Sequence, residues 1–432
     1  MLGSVRKIWK SPDLRTSLLY VIAMLALFRL IAHFPLPNVD VNALRTFFQR
    51  NQLFGLLNLF SGGAMENFSV VALGVGPYIT SSIIIQLLTM IVPAMEQLSK
   101  EGEMGRQKLN QWTRLLTVPL ALLQAYGLIV LLQQQQQTGG VRLIARLTPV
   151  QLGSTIVTLA AGTIFLMWIG ELISERKVGN GISLLIFSGI VTNIPTAVQR
   201  TLAAEFSQET LLNIIFFLAV AVITTAATVF ITEAQRNIPV SYARRVRGLK
   251  LYGGVNTHLP LRVNQAGMIP IIFAISVVLF PPMIAQFFIP SPNTGIANAA
   301  TAVYNFFNLQ TNPIGYGAMF FLLVFGFTYF YTEVVFHPEQ VAENLQKQGG
   351  FVPGLRPGRP TADYFSDVSH RIVLAGALFL ALIAVLPIGL QYFTGLQTLT
   401  LSGSSLLIVV SVVIETAKQI ESQLTMRDYE GL

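Results

Sequence analysis

The chain has 432 residues, of which 53% are hydrophobic and 11% are charged, and its mean hydropathy is +0.60. Soluble domains carry roughly one quarter charged residues, so this composition indicates a membrane protein. Because the sequence contains no Cys and only four scattered His, it excludes disulfides and thiolate metal sites, and we predict no metal, cofactor or catalytic centre.

Ten apolar segments follow one another along the chain. A helix needs about 20 apolar residues to cross the hydrocarbon core, and the segments meet or approach this length. They cover residues 17–34, 77–92, 115–132, 152–170, 181–198, 211–231, 266–288, 316–336, 372–390 and 399–414. We therefore predict an all-α polytopic membrane protein with ten transmembrane helices. Basic residues before the first segment are also typical of a signal peptide, but no small-residue cleavage pattern follows it, so we expect it to be retained.

The distribution of Lys and Arg predicts the orientation of these helices. With the N-terminus inside, the cytoplasmic loops and termini contain 22 basic residues and the external loops contain 5. One further basic residue, Arg29, lies within the first segment. Cytoplasmic loops of membrane proteins are enriched in Lys and Arg, so we predict that both termini are cytoplasmic. The net charge of +8 is then mainly a topological signal rather than a sign of nucleic-acid binding.

The loop lengths repeat between the two halves of the chain. In each half the first and third connections are long, externally at 35–76 and 133–151, and cytoplasmically at 232–265 and 337–371. The same rhythm on opposite faces is typical of an inverted repeat. We predict two halves of five helices each, residues 1–203 and 204–432.

Ionisable groups are scarce within the predicted spans. All five Asp lie outside them, and the nearest Glu residues, Glu171, Glu333 and Glu415, stand at cytoplasmic ends. Mid-depth carboxylates mark proton-coupled transport or intramembrane catalysis, because burying them is costly. Motifs for metal hydrolysis, a serine nucleophile or nucleotide binding are also absent from the sequence. We therefore predict that the protein is not an enzyme. Arg29 is expected to snorkel or to find one polar partner.

Residues 60–71 interrupt the helical pattern. The segment is half apolar and too short to span, and the Gly-rich stretch 74–77 follows it. We expect a short helix over residues 64–71 and then a hinge. Glu66 and Asn67 are costly to expose to lipid, so this helix lies either on the outer surface or in a protein-lined cavity, and composition alone favours the surface.

Two apolar pairs at helical spacing occur at the starts of the second and fifth spans. Val75 and Ile79 are four residues apart, and Ile182 and Ile186 repeat that spacing. Such pairs are most often lipid-facing or part of a core, so the spacing alone gives them no function.

Five stretches resemble signatures of the SecY/Sec61 family of protein-conducting channels, in particular its bacterial type. They are VALGVGPYITSSIIIQLL at 71–88, WIGELISERKVGNGIS at 168–183, THLPLRVN at 257–264, FVPGLRPG at 351–358 and GSSLLIVV at 403–410. The stretches occur in the family's order, and motifs of this length are very specific. Departures from the family pattern lie in the external loops, including the polar run 133–137.

The resemblance implies an hourglass pore between two halves that are joined at a hinge. Its narrowest point is then a ring of apolar side chains, Val75, Ile79, Ile182, Ile186, Ile272 and Ile408. An aliphatic ring expels water, gives ions no ligands and can seal around an extended chain.

The resemblance also implies a plug and a lateral gate. The plug corresponds to Gly62, Gly63, Ala64, Met65, Glu66, Asn67 and Phe68, and it fills the outer funnel of the idle channel. This replaces the surface position that composition favours. Spans two and seven correspond to the gate, through which apolar segments leave into lipid. Ser82 and Gln86, four residues apart on one helix face, are candidate gate residues.

The two long cytoplasmic loops are expected to meet partners. Alternating apolar residues in the 232–265 loop predict a β-hairpin, whose basic tip contains Arg244, Arg245, Arg247 and Lys250. The positive-inside rule explains part of this basicity. The functional interpretation is that the basic tip contacts ribosomal RNA or an acidic patch on a motor protein. In the 337–371 loop, Pro and Gly residues predict a turn that presents Arg356 and Arg359. The resemblance makes Arg356 the most important contact residue.

The implied partners are SecE-like and SecG-like small membrane subunits, the SecA ATPase, the ribosome, translocating polypeptides and the lipid bilayer, and the implied location is the bacterial inner membrane. An inverted-repeat secondary transporter of a small solute is the alternative. Such a transporter needs a coupling carboxylate at mid-depth, which this sequence lacks. A membrane-bound enzyme is disfavoured by the missing catalytic motifs.

Overall fold

The computed structural model describes residues 11–37, 39–50, 58, 61–139, 143–144, 147–203, 208–242, 245–247, 250–252, 256–309, 311–394 and 398–430. The first half contains α1 (Pro12–Ala32), α2 (Val41–Arg50), α3 (Gly76–Ile91), α4 (Pro93–Lys100), α5 (Glu103–Gly139), α6 (Pro149–Glu175) and α7 (Gly181–Ala203). The second half contains α8 (Gln208–Glu233), β1 (Gln235–Tyr242), β2 (Arg245–Arg247), β3 (Lys250–Tyr252), β4 (Asn256–Arg262), α9 (Ile269–Phe288), α10 (Thr294–Phe306), α11 (Pro313–Val335), α12 (Pro338–Lys347), β5 (Gly350–Phe351), α13 (Arg359–Thr394) and α14 (Thr398–Glu430).

Each of the ten predicted spans coincides with one helix, namely α1, α3, α5, α6, α7, α8, α9, α11, α13 and α14. Among the described residues, six helices are by themselves long and apolar enough to cross a membrane, and α3 with α4 makes a seventh, bent span. Helices α7 and α8 contribute the shorter apolar runs Gly181–Thr192 and Leu218–Glu233. The fold class predicted from the sequence, an all-α polytopic membrane protein, is confirmed.

Proline positions define several helix starts. Proline stands in the first turn of α1, α3, α6, α9 and α11, where its missing N–H costs nothing and its fixed φ favours the helix. Proline also ends α3, because Pro93 forces Val92 into extended backbone at φ −100° and ψ 110°. The chain bends by 102° there, and α4 leaves the direction of the span.

The same packing pattern occurs in both halves. In the first half, α3 packs on α5, α5 on α6 and α6 on α7, and α1 covers α6 and α7. In the second half, α9 packs on α11, α11 on α13 and α13 on α14, and α8 covers α13 and α14. The two halves meet along two seams, α3 and α5 against α9 on one side and α7 against α14 on the other.

The 232–265 loop forms the predicted hairpin. Strand β1 pairs antiparallel with β4, with Ile238 opposite Leu259, and the short strands β2 and β3 pair at the far end. The sequence did not predict a third strand, β5, which pairs with β1 on its other edge. Buried Ile238, Val240 and Leu261 pack against Leu345 of α12 and other apolar residues of the 337–371 loop and α13. The two long loops therefore form one folded unit.

Candidate functional site

The six residues predicted to form the pore ring converge although they are far apart in sequence. Five of them, Val75, Ile79, Ile186, Ile272 and Ile408, are at most 5% exposed and belong to one continuous cluster of apolar side chains. Val75 directly precedes α3, and the others lie on α3, α7, α9 and α14. The cluster therefore joins both halves at the level of their two seams.

Ile182 occupies the margin of this cluster. It is half-buried and packs against the cluster rather than within it. Its side chain fills the space above Gly170, where an added Cβ would lie 2.5 Å from the Ile182 Cδ1. Ile182 therefore also holds α7 against α6.

The plug segment, of which the structure describes residues 61–71, has a different local structure from the one predicted. The short helix expected over residues 64–71 is wrong, because the segment is a succession of turns. Its backbone hydrogen bonds span three residues, as from Phe68 N–H to the Met65 carbonyl at 2.9 Å, or five, as from Ser69 N–H to the Ala64 carbonyl at 3.1 Å. Gly62, Gly63 and Phe68 have positive φ, as does Gly74 in the stretch that joins the segment to α3. A right-handed helix cannot continue through residues in the left-handed region, so the chain turns at each of them. Residue 60 lies outside the described residues.

The plug segment is buried inside the protein and does not lie on its surface. Ala64 and Val71 are fully buried and belong to the same apolar cluster as the ring residues. Met65 and Phe68 are buried in a second cluster, formed with residues of α2, α5 and α6. The segment therefore rests directly on the ring and is enclosed by the first half of the chain. Of the two positions that the sequence allowed for this segment, the outer surface and a protein-lined cavity, the structure shows the cavity.

Glu66 and Asn67 of the plug segment have partners within the protein. Arg45 of α2 donates from Nη2 to Asn67 Oδ1 at 2.6 Å. Asn67 Nδ2 lies 3.4 Å from the Ala32 carbonyl oxygen, and Asn58 Nδ2 donates to Glu66 Oε2 at 3.1 Å. Because these groups are satisfied internally, the segment avoids the cost of placing Glu66 and Asn67 against lipid.

Helix α6 approaches the backbone of the plug segment closely. A Cβ added to Gly162 would lie 2.8 Å from the carbonyl carbon of Val70, closer still to its oxygen, and 3.3 Å from the Val71 Cα. Real Cβ atoms essentially never approach neighbours closer than 3.0 Å. Only glycine fits at this position.

The charged residue within the first span has two partners, whereas the sequence led us to expect snorkelling or a single one. Arg29 donates from Nη1 to the Gly62 carbonyl at 2.5 Å and from Nη2 to the carbonyl of Ser188 on α7. These partners are 33 and 159 residues away along the chain. The only signal in the sequence was the presence of a charge inside a span.

The candidate gate residues lie on α3, which forms one of the two seams with α9. Gln86 donates from Nε2 to Ser82 Oγ at 3.2 Å, so the two side chains share a face as predicted. Gln86 Oε1 is buried without a hydrogen-bond partner. The hydrogen bond between the two side chains lies within α3 and does not join this helix to α9.

The candidate contact residues of the two long loops lie on turns and strand ends. Arg356 is exposed on a turn between Gly354 and Gly358, both at positive φ, and Arg359 is exposed at the start of α13. The predicted Pro and Gly turn is thus present. Arg245, Arg247 and Lys250 lie on β2 and β3, and Arg244 lies outside the described residues.

Two carboxylates near the spans are paired with basic residues. Glu171 of α6 accepts from Arg114 of α5 at 2.6 Å, and Glu233 of α8 accepts from Lys418 of α14 at 2.9 Å. Partly exposed pairs of this kind contribute little free energy. In the part of the chain that the structure describes, no group of three or more His, Asp or Glu side chains is placed to hold a metal ion.

These features define a polytopic, mostly helical membrane protein in which a buried apolar cluster joins both halves of the chain and a buried segment of turns packs into that cluster. Comparison with known proteins identifies the family of the chain. The profile of the SecY family matches residues 69–417, and the chain belongs to this family.

Two relatives and two solved structures illustrate the similarity. The chain is 42% identical to "Protein translocase subunit SecY" of Streptomyces galbus, over all of this chain and 99% of that protein. It is 42% identical to the protein of the same name from Thermus thermophilus, over 97% of this chain and 95% of that one. A solved protein-conducting channel superposes with a TM-score of 0.62 at 16% identity, covering 93% of this chain and 91% of that one. Sec61 in the canine ribosome-channel complex superposes with a TM-score of 0.60 at 15% identity, with the same coverage.

Proposed function

We propose that the chain is the pore-forming subunit of a general protein-conducting channel, which passes unfolded secretory polypeptides across the membrane and releases apolar segments sideways into lipid. Its family membership and its relatives, which are named protein translocase subunits, support this function. The similar fold of a solved protein-conducting channel agrees with it.

One observation carries the proposal: apolar residues of α3, α7, α9 and α14, from both halves, belong to one buried cluster that also contains Ala64 and Val71 of the plug segment. A narrow aliphatic passage expels water and offers no ligands to ions. Its flexible side chains make no sequence-specific hydrogen bonds, so they can close around an extended polypeptide of any sequence. Val75, Ile79, Ile182, Ile186, Ile272 and Ile408 form this ring.

The two halves, residues 1–203 and 204–432, act as the two shells of the channel. Their matching packing patterns support a repeat, and because each half has five spans, the second copy enters the membrane from the opposite face. The seam between α3 and α9 is the lateral gate, at which Ser82 and Gln86 lie. The seam between α7 and α14 is the hinge.

The channel is passive and takes its energy from a partner, since it is proposed to have no catalytic centre. SecA or the ribosome supplies that energy, and Arg356, Arg359 and the basic tip of the 232–265 hairpin are the contact surface. The canine Sec61 structure was solved in a ribosome-channel complex, which supports a ribosomal partner. SecE-like and SecG-like subunits complete the complex in the bacterial inner membrane, with both termini cytoplasmic.

Ion conductance of the idle channel tests this function. The double variant Ile79→Asn with Ile408→Asn is expected to conduct ions in a planar bilayer, because amide side chains hold water where an aliphatic ring expels it. The matched control is Ile79→Leu with Ile408→Leu, which keeps the ring apolar and should stay closed. If the Asn variant is inserted normally and remains ion-tight, these residues do not line a pore. Solute-coupled uptake without any conductance would favour the small-solute transporter instead.

A further inference from the structure

Arg29 is the one basic residue that the sequence places inside a span, and its guanidinium connects three separate parts of the first half. It stands in the last turn of α1. Its Nη1 donates to the Gly62 carbonyl at the start of the plug segment, and its Nη2 donates to the Ser188 carbonyl in α7. Burying a charge in a membrane is costly, so we expect the contacts that hold Arg29 there to contribute to function or stability.

The backbones that Arg29 bridges are in direct contact with each other. A Cβ at Gly62 would lie 3.2 Å from the Cα of Gly189, the residue after Ser188, and 2.7 Å from the ring of Phe28. Gly62 also has φ of +69°, which only glycine adopts without strain. The start of the plug segment is therefore set against α7 and α1 in one position. Arg29 fastens it there with two charge-assisted hydrogen bonds, which are stronger than bonds between neutral groups.

Both acceptors are main-chain carbonyls, so the two bonds depend on where the segments lie rather than on their side chains. If the plug segment moves away from the ring, the bond to Gly62 breaks. If α7 separates from α1, the bond to Ser188 breaks. A planar guanidinium can donate hydrogen bonds to two carbonyls at once. A lysine ammonium is a compact point charge, so it cannot reproduce this forked geometry.

We propose that Arg29 is a positioning residue that latches the plug in the closed state, an inference that rests on the proposed channel function. Arg29 adds to the barrier against spontaneous plug displacement, and its bond to the Gly62 carbonyl breaks when a translocating polypeptide displaces the plug segment. The plug segment then leaves the ring with its polar contacts to α2 as the remaining tether.

The test measures the exposure of the plug segment in the idle complex. The chain contains no Cys, so Ala64→Cys gives a single thiol at a fully buried plug position. The complete complex, with its co-purified small subunits, is reconstituted into liposomes and treated with a water-soluble maleimide on both faces. Arg29→Met should increase the labelling rate at least tenfold, because it removes both donors at similar length. Arg29→Lys should give an intermediate rate. Arg15→Met, an exposed position on the same helix, should label at the parental rate.

A purely structural role for Arg29 predicts a different pattern. In that case Arg29→Met lowers the thermal unfolding temperature, while labelling below that temperature stays at the parental rate, and this result would overturn the latch. If Arg29→Met fails to insert, Arg29→Lys decides by the same criterion. Conductance separates the latch from the proposed function. If Arg29→Met raises the labelling rate but neither Arg29→Met nor the Ile→Asn ring variant conducts ions, the latch is supported and the channel is rejected. If the ring variant conducts ions but Arg29→Met labels at the parental rate, only the latch is rejected.

Discussion

Gly162→Ala tests whether the plug segment is held by close packing against α6. The added Cβ would meet the carbonyl carbon of Val70 at 2.8 Å and the Cα of Val71 at 3.3 Å. Both neighbours are backbone atoms, which cannot rotate away as a side chain does. We therefore expect the plug segment to move away from α6 to restore ordinary contact distances.

The size of the effect follows from the cost of overpacking. Inserting a methyl group into a well-packed interior costs about 1–3 kcal/mol. The closed state of the plug bears this cost and a displaced plug does not, so the equilibrium between them shifts by about 5- to 150-fold at 1.4 kcal/mol per factor of ten. Maleimide labelling of the Ala64→Cys reporter in the idle complex should rise by a factor in this range.

The control is Gly153→Ala, on the same helix. An added Cβ at Gly153 meets nothing within 4 Å, so the substitution changes helix propensity in the same way without touching the plug segment. Its labelling rate should equal that of the parent. Equal labelling of Gly162→Ala and Gly153→Ala, with only a lower unfolding temperature for the former, would show that α6 yields instead and that the plug is not held by this contact.

Two further outcomes are expected from the proposed topology and partner contacts. Cys introduced at Arg356 should react with membrane-impermeant reagents only from the cytoplasmic side, and Cys introduced at Gly295 only from outside. The reason is that loops rich in basic residues are retained in the cytoplasm. Labelling of Arg356→Cys by an impermeant reagent in intact cells would contradict the orientation. Arg356→Glu should reduce motor-driven export severalfold at an unchanged protein level, since an exposed arginine on a Pro and Gly turn contributes little to stability. Normal export by this variant would remove the assigned contact role.

Much of the architecture was predictable from the sequence because hydrophobicity reports burial in lipid directly. Ten apolar segments became ten helices, and the alternating residues of the 232–265 loop became β1 and β4. Strand β5 was missed because it has only two residues, Gly350 and Phe351, and exists only by pairing with β1. A segment that short has no periodicity of its own.

The candidate site was less accessible to sequence reasoning. Val75 and Ile79 have the spacing of any buried or lipid-facing pair, and only the family resemblance linked them to Ile272 and Ile408. The plug segment was predicted as a helix because its composition permits one. Phe68 has φ of +43°, a conformation that sequence rarely indicates for a residue other than glycine. The partners of Arg29 are carbonyls of distant segments, which no local pattern encodes.

The central claim is that Ile79, Ile186, Ile272 and Ile408 surround one path for a polypeptide. Site-specific photo-crosslinking from each position to a stalled secretory chain tests it most directly, in the complex with its motor or ribosome engaged. We expect crosslinks to the stalled chain from all four positions, and crosslinks from Ala64 to the same chain only before the plug is displaced. Crosslinks to lipid at the four ring positions, with none to the stalled chain, would contradict it.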